Sequence, residues 1–453
     1  MSTIAAISTP LAMGGISVIR ISGENAISIA SKIFQPISCE SVERMDGYTC
    51  CYGKVVYENQ DIDDAVLTVF RSPRSYTGED VCEISCHGGI YITKQVLAAV
   101  LASGAIPAEN GEFTKRAFLN GKLSLTQAEA VMDMISAQGK QAHRSAVATR
   151  EGSLFTRIKK ITEELVSILA SLSAWVDYPD EDIEDVSQDT LREKLKNIDN
   201  ELGDILSGYD NGRILREGID TVIIGKPNVG KSTLMNMLLG YQRSIVTDIA
   251  GTTRDVVEET VSLGEVVLKL SDTAGVRETA DIVEGFGVSL AYKKLEQADL
   301  VIAVFDNSEK LSQEDFSLID NLNDKHCVAV INKSDLNGII DKEVIEKHFD
   351  KVVYICAKNN EGKEDLTKAV EDIFHANTFD PNSGVISNER QRSCVSVAKK
   401  NIAQAVNDVI AGESYDAVTV LIDQATNALL ELTGERVTDA VVDNIFKNFC
   451  VGK

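Results

Sequence analysis

The spacing of apolar positions changes repeatedly along this chain, and each change marks a boundary. Residues 1–118 carry short strand-like runs, Ile16 to Ile21, Ala65 to Phe70 and Val81 to Ile84, punctuated by Gly and Pro. They predict a small α/β or β-rich unit. From about residue 119 the period becomes helical. Thr126 and Glu129 form a T-x-x-E pattern expected to cap a helix. Leu154, Ile158, Ile161, Leu165, Ile168, Leu172 and Trp175 then recur at steps of three and four, as do Leu191, Leu195, Ile198, Leu202 and Ile205. The acidic run between the two stripes, Asp177 to Asp189, reads as a solvated turn.

Near Gly212 to Gly218 the pattern changes to continuous apolar strands alternating with amphipathic helices, as a parallel sheet covered on both faces requires. The expected strands are 221–224, 266–270, 300–305, 327–331 and 352–355. The stretch Asp380-Pro381-Asn382-Ser383-Gly384 reads as a linker. Helical spacing resumes with Val418, Leu421, Ile422, Ala425, Leu429 and Leu432, stops at Gly434, and restarts after Thr438. Each helical block alone has too few apolar faces to stand by itself. The pattern therefore predicts an α/β domain inserted into a discontinuous helical domain, with limits of 1–118, 119–215, 216–377 and 378–453.

Composition adds constraints. The chain has 453 residues, 44% hydrophobic and 25% charged, which is ordinary for a globular protein and excludes collagenous or mostly disordered classes. Its longest apolar runs fall short of the roughly 20 residues a membrane span needs, and the N-terminus lacks a basic, signal-like segment. A cytoplasmic protein is expected. Nine scattered cysteines, an odd count, argue for reduced thiols and against a disulfide framework. A net charge of −24 repels nucleic acid in bulk, so any RNA would need a local basic site or a basic partner.

The strand at 221–224 runs into Gly225-Lys-Pro-Asn-Val-Gly-Lys231-Ser232 and then a helical Leu234, Leu238, Leu239 pattern ended by Gly240. This is G-x-x-x-x-G-K-S between a strand and a helix, where backbone N–H groups can cradle phosphates. Asn228, Val229, Gly230, Lys231, Ser232 and Thr233 form the phosphate site, with Lys231 on the β- and γ-phosphates and Ser232 on Mg²⁺. Asp272-Thr273-Ala274-Gly275 follows the strand at 266–270, where a carboxylate can reach Mg²⁺ and the Gly275 N–H can sense the γ-phosphate. Asn332, Lys333 and Asp335 follow the strand at 327–331; the Asp335 carboxylate can accept from guanine N1–H and N2–H₂, a donor pair that adenine lacks. Cys356-Ala357-Lys358 completes the base site, with cysteine where serine is more usual. Thr253 is the candidate switch threonine within Gly251-Thr252-Thr253-Arg-Asp. Val276 follows Gly275, so the glutamine that orients water in small GTPases is missing. Glu284 or a monovalent cation is expected to complete catalysis.

Gly251 to Asp255, the Asn228 to Ser232 loop, Gly111 to Leu123 and the ending Phe449-Cys450-Val-Gly-Lys453 together resemble the MnmE (TrmE) family of tRNA-modification GTPases over essentially the whole chain. The resemblance implies an N-terminal α/β folate-binding domain, a discontinuous helical domain and an inserted P-loop, Ras-like G domain. It implies a homodimer joined through the N-terminal domains and a heterotetramer with the flavoprotein MnmG. The implied activity is K⁺-stimulated GTP hydrolysis coupled to addition of a carboxymethylaminomethyl-type group at C5 of the tRNA wobble uridine.

By matching motifs, Thr247, Asp248, Ile249, Ala250, Gly251, Thr252 and Thr253 join the nucleotide site. Asn228, Thr247, Ile249 and Thr252 would hold K⁺, Ser232 and Thr253 would hold Mg²⁺, and Glu284 would act through water. Arg20, Glu83, Lys122 and Lys453 match contacts to 5-formyltetrahydrofolate or a related one-carbon folate. Chemically, a carboxylate suits pterin N–H donors and cations suit the glutamate tail. Taken alone, Arg20 and Lys122 read as surface charges, and Glu79 competes with Glu83. Cys450 is a candidate for the modification chemistry or a buried thiol. Cys82, Cys86 and His87 lack the second cluster a zinc site needs. A ribosome-assembly or signalling GTPase is the alternative function, although such a protein would be expected to carry a basic RNA-binding module.

Overall fold

The computed structural model describes residues 1–177, 187–240, 259–271, 295, 297–322, 325–374, 380 and 383–453. The chain divides into two compact units, one built from 1–132, 155–193 and 400–453, the other from 133–154 and 194–399.

In the first unit, β1 (Ile4–Ile7), β2 (Ile16–Ser22), β3 (Phe34–Pro36), β4 (Thr49–Tyr57), β5 (Gln60–Phe70), β6 (Val81–His87) and β7 (Ile106–Pro107) form one sheet in the order β3-β4-β5-β6-β2-β1-β7. All pairs are antiparallel except β1 with β7. Alternation sorts the side chains. Ile19, Ile21, Leu67, Val69, Cys82 and Ile84 point into a core that also takes apolar residues of the helices Ala26–Ile33 and Ile90–Ala102. The intervening positions lie on the opposite face, and the register sets Arg20 beside Glu83 and Glu83 beside Thr68.

Helix Leu125–Ser136 shares a cluster with the chain's last helix, Asp439–Phe446; Leu125, Ala128, Val442, Phe446 and Phe449 are buried together. Its cap differs from the expected pair. The helix starts at Leu125, so the reciprocal bonds come earlier along the chain: Ser124 N donates to Gln127 Oε1 and Gln127 N to Ser124 Oγ. The helical stripes from Leu154 to Leu172, from Leu191 to Ile205 and from Val418 to Leu432 fall in the helices Ser153–Asp177, Gln188–Ser207 and Tyr415–Thr433, and residues 178–186 of the acidic run lie outside the described residues. Gly434 ends the last of these at φ 90°.

The second unit has a six-stranded sheet in the order β13-β12-β11-β8-β10-β9, from β8 (Ile219–Ile224), β9 (Glu259–Leu263), β10 (Val266–Ser271), β11 (Leu300–Asp306), β12 (Cys327–Asn332) and β13 (Val352–Tyr354). Only β9 pairs antiparallel. Every residue of β11 is buried, which explains its unbroken apolar run. Helix Glu389–Ala411 was not anticipated, although Val395, Ala398, Ile402, Ala405 and Val409 give it a helical apolar stripe.

The expectation of reduced thiols fails at one pair of cysteines and holds for the rest. Cys39 and Cys51, twelve residues apart, are joined as a disulfide with Cα atoms 5.9 Å apart. Pairing of β3 with β4 brings the two segments together, and no spacing rule along the sequence would have revealed it. The other described cysteines, among them Cys82, Cys86 and Cys450, are free thiols.

Candidate functional sites

The phosphate loop sits between β8 and helix Lys231–Leu239. Gly225 has φ 148°, and a Cβ there would collide with the Val304 carbonyl, so only a glycine allows the chain to leave β8 in this way. Gly230 at φ 99° starts the helix, whose first N–H groups face the site that a phosphate would occupy. Lys231 Nζ donates to the carbonyls of Gly225 at 2.8 Å and Lys226 at 2.6 Å, which folds the side chain back over the loop. Asn228 is exposed with φ 65°, and Ser232 and Thr233 are also exposed.

Asn332 ties this loop to the base-recognition segments. Its Nδ2 donates to the Val229 carbonyl at 2.9 Å, and its Oδ1 accepts from the Ala357 N–H at 3.1 Å. Parallel pairing of β8, β11, β12 and β13 puts the loops after β8, β12 and β13 at one end of the sheet, outside the carboxyl ends of its strands. Lys333 has φ 63°, and its Nζ pairs with Asp306 Oδ2 at 2.5 Å. Burial opposes ionisation of Asp306, yet the Lys333 and Ser308 hydrogen bonds hold its carboxyl below the usual range. Sequence reading missed Asp306, whose only signal is a carboxylate ending an otherwise apolar strand. Cys356 Sγ donates to Asp335 Oδ1 at 3.1 Å, so the cysteine does the orienting that a serine hydroxyl could do. Burial and then the Asp335 contact raise that thiol's pKa. Asp335 itself and Lys358 are exposed.

Thr247, Asp248, Ile249, Ala250, Gly251, Thr252, Thr253, Asp272, Thr273, Ala274, Gly275 and Glu284 lie outside the described residues.

A second constellation lies on the outer face of the first unit's sheet. Arg20 Nε and Nη2 each donate to Glu83 Oε1 at 2.8 Å, and the side chains are only 17% and 25% exposed. The guanidinium lies 5.7 Å from the Tyr76 ring centre and 5.6 Å from that of Phe113. Glu79, the competing carboxylate, is engaged elsewhere: Arg116 Nη1 lies 3.1 Å from it, and Ser22 Oγ donates to it at 2.7 Å. Arg116, 4% exposed, also pairs with Glu112. Each of the two glutamates therefore has an arginine partner, Glu83 in Arg20 and Glu79 in Arg116. Lys122 Nζ donates to the Pro73 carbonyl at 3.0 Å.

The chain's end comes to the same place. Gly452 O accepts from Ser8 Oγ at 3.2 Å and from Arg20 Nη1 at 3.4 Å. Burial and the Arg20 charge depress the Lys453 ammonium, with Glu83 opposing. At the chain's end Val451 bridges Asn110, Phe449 is buried, and Cys450 is exposed. The buried-thiol reading of Cys450 falls with that exposure. Ser8, Tyr76 and Phe113 were missed because they gain meaning only when strands distant in sequence pair.

Two family descriptions match the chain: "GTP-binding protein TrmE N-terminus" over residues 3–122 and "MnmE helical domain" over residues 125–450. The chain belongs to the MnmE (TrmE) family. Proteins named tRNA modification GTPase MnmE agree with this along their full length. That of Clostridioides difficile (strain 630) is 42% identical over 454 residues, covering 100% of this chain and 99% of the relative. That of Thermoanaerobacter pseudethanolicus (strain ATCC 33223 / 39E) is 40% identical over 456 residues with the same coverage. Among solved structures, a point variant of Aquifex aeolicus Era bound to GDP.AlF4- is 30% identical over 40% of this chain and 66% of its own, with a TM-score of 0.27. Among the described residues of this MnmE-family chain, no helix is long and apolar enough to cross a membrane.

Proposed function

We propose that this chain is a GTP hydrolase of tRNA modification, which with the flavoprotein MnmG adds a carboxymethylaminomethyl-type group at C5 of the wobble uridine. The observation that carries the nucleotide half is the Asn332 side chain, which holds the phosphate loop and the Ala357 loop in one rigid arrangement. Asp335, exposed and oriented by Cys356, reads the guanine edge. Ser232, exposed at the start of its helix, suits a Mg²⁺ ion, with Thr253 and Asp272 as further ligands. Mg²⁺ and K⁺ would supply positive charge against the phosphate oxygens. Asn228, exposed beside the phosphate loop, would be one K⁺ ligand and Thr247, Ile249 and Thr252 the others; Glu284 would position water.

The folate half rests on the Arg20–Glu83 pair. Two cations, Arg20 and Lys453, lie near one carboxylate there, and burial together with the Arg20 charge lowers the lysine's pKa. An anionic ligand relieves that arrangement, and a one-carbon folate brings both pterin donors for Glu83 and carboxylates for the cations. We further place the protein in the cytoplasm, as a homodimer, with domains at 1–118, 119–215, 216–377 and 378–453.

Nucleoside analysis of tRNA from a strain lacking the protein is the test. Loss of the modified wobble uridine, restored by this chain, supports the proposal. Intact modified uridine in that strain, with GTP hydrolysis by the purified chain, would favour a switch GTPase instead.

A further inference from the structure

The last residues are held from several directions. Helix Asp439–Phe446 is anchored to residues 110–115: Lys115 Nζ lies 2.5 Å from Asp443 Oδ1, and Asn110 Nδ2 donates to the Lys447 carbonyl at 3.1 Å. Gly111 N donates to the Cys450 carbonyl at 3.3 Å, and Val451 continues as an antiparallel bridge to Asn110. At Gly452 the backbone turns to φ 93°. That turn aims the Gly452 carbonyl at Ser8 and Arg20 and leaves Lys453 beside Arg20 and Glu83.

We propose that Gly452 is a positioning residue of the folate site: its left-handed turn seats Lys453 beside Arg20 and Glu83 of the same chain while leaving Cys450 exposed. The inference rests on reading that site as folate-binding, and it adds how the chain end is fixed there. Two independent constraints require glycine. An L side chain at φ 93° is strained whatever the space around it. Its Cβ would also collide with the Ile7 carbonyl oxygen and come within 3.0 Å of Ser8 Cα and 3.1 Å of Ile7 C. Those atoms cannot give way easily, because Ile7 pairs with Ile19 in the sheet and Ser8 N donates to the Val18 carbonyl at 2.8 Å. The tail must yield instead. The depressed ammonium of Lys453 fits a tail that is seated, since burial is its first cause.

The test uses the full chain, assembled by ligation at Cys450 from residues 1–449 and a Cys-Val-Xaa-Lys peptide, with Xaa as glycine, L-alanine or D-alanine. D-alanine favours positive φ and carries its methyl in place of the other α-hydrogen. Lys453 acetylation by N-hydroxysuccinimide acetate, read by mass spectrometry, reports seating, and calorimetry with 5-formyltetrahydrofolate reports the site. With L-alanine, Gly452→Ala should shift the pH profile of Lys453 labelling upward, toward that of an exposed lysine, and weaken folate binding by about tenfold or more, with GTP hydrolysis unchanged. D-alanine should restore both readouts. The proposal is overturned if L-alanine changes neither readout, if D-alanine behaves like L-alanine, or if GTP hydrolysis falls along with them. If labelling follows the chirality at 452 while the glycine form binds no folate, the positioning role stands and the folate reading fails.

Discussion

Asn332→Ala isolates the contact on which the nucleotide site depends. The side chain is 3% exposed and makes two bonds, to the Val229 carbonyl at 2.9 Å and from the Ala357 N–H at 3.1 Å; those residues are 1% and 4% exposed. Alanine leaves both backbone groups buried without that partner, at about 1–3 kcal/mol each, or about 2–6 kcal/mol together. Part of this destabilises the free domain, and part must be overcome when GTP re-imposes the loop arrangement. Even the lower bound of about 2 kcal/mol is a factor of roughly 30 in an equilibrium constant. Borne by the fold alone, it would lower the melting temperature by about 4–8 °C for a domain of this size. GTP affinity by a fluorescent-nucleotide titration and melting by calorimetry should therefore both fall, with their free-energy changes together reaching at least about 2 kcal/mol. Affinity within about twofold of the parent, with melting unchanged, would refute the reasoning.

Three other expectations can be checked separately. Asp335→Asn should lose GTP affinity and gain affinity for xanthosine nucleotides, checked by competition binding; undiminished GTP binding would remove the basis for the guanine assignment. GTP hydrolysis should be faster in K⁺ than in Na⁺ and should drop in Glu284→Ala with binding retained; equal rates in the two salts would exclude the cation role. Burial pushes the Cys82 thiol up to about 12 and those of Cys86 and Cys327 up to about 11. A raised pKa keeps these thiols protonated at about pH 8, so iodoacetamide should label exposed Cys50 and Cys450 first in the native protein. Native Cys82 labelled as fast as Cys450 would contradict the burial.

Much of this protein is a matter of local pattern and was determined by the sequence alone. The run of strand, Gly-rich loop and helix at 219–239 follows from side-chain period and glycine placement, both of which act over neighbouring residues. The helical stripe from Leu154 to Leu172 is fixed the same way, since steps of three and four put those residues on one buried face. Asp335 needed only its place after β12 to be read as a guanine contact. Other features depend on pairings between distant segments, which no local period encodes. Sheet register set Arg20 against Glu83, while Ser22 of β2 and Arg116 of helix Glu112–Leu119 pair with Glu79. The shift of one helix start from the Thr126 box to Ser124 reflects which side chain met an unpaired N–H. The disulfide of Cys39 with Cys51 and the seating of Gly452 beside Ile7 likewise arise from strands that meet only in the folded chain. Sequence decided which chemistry each segment could carry; tertiary structure decided which segments met, because contact between the two chain ends depends on the pairing and packing of everything between them.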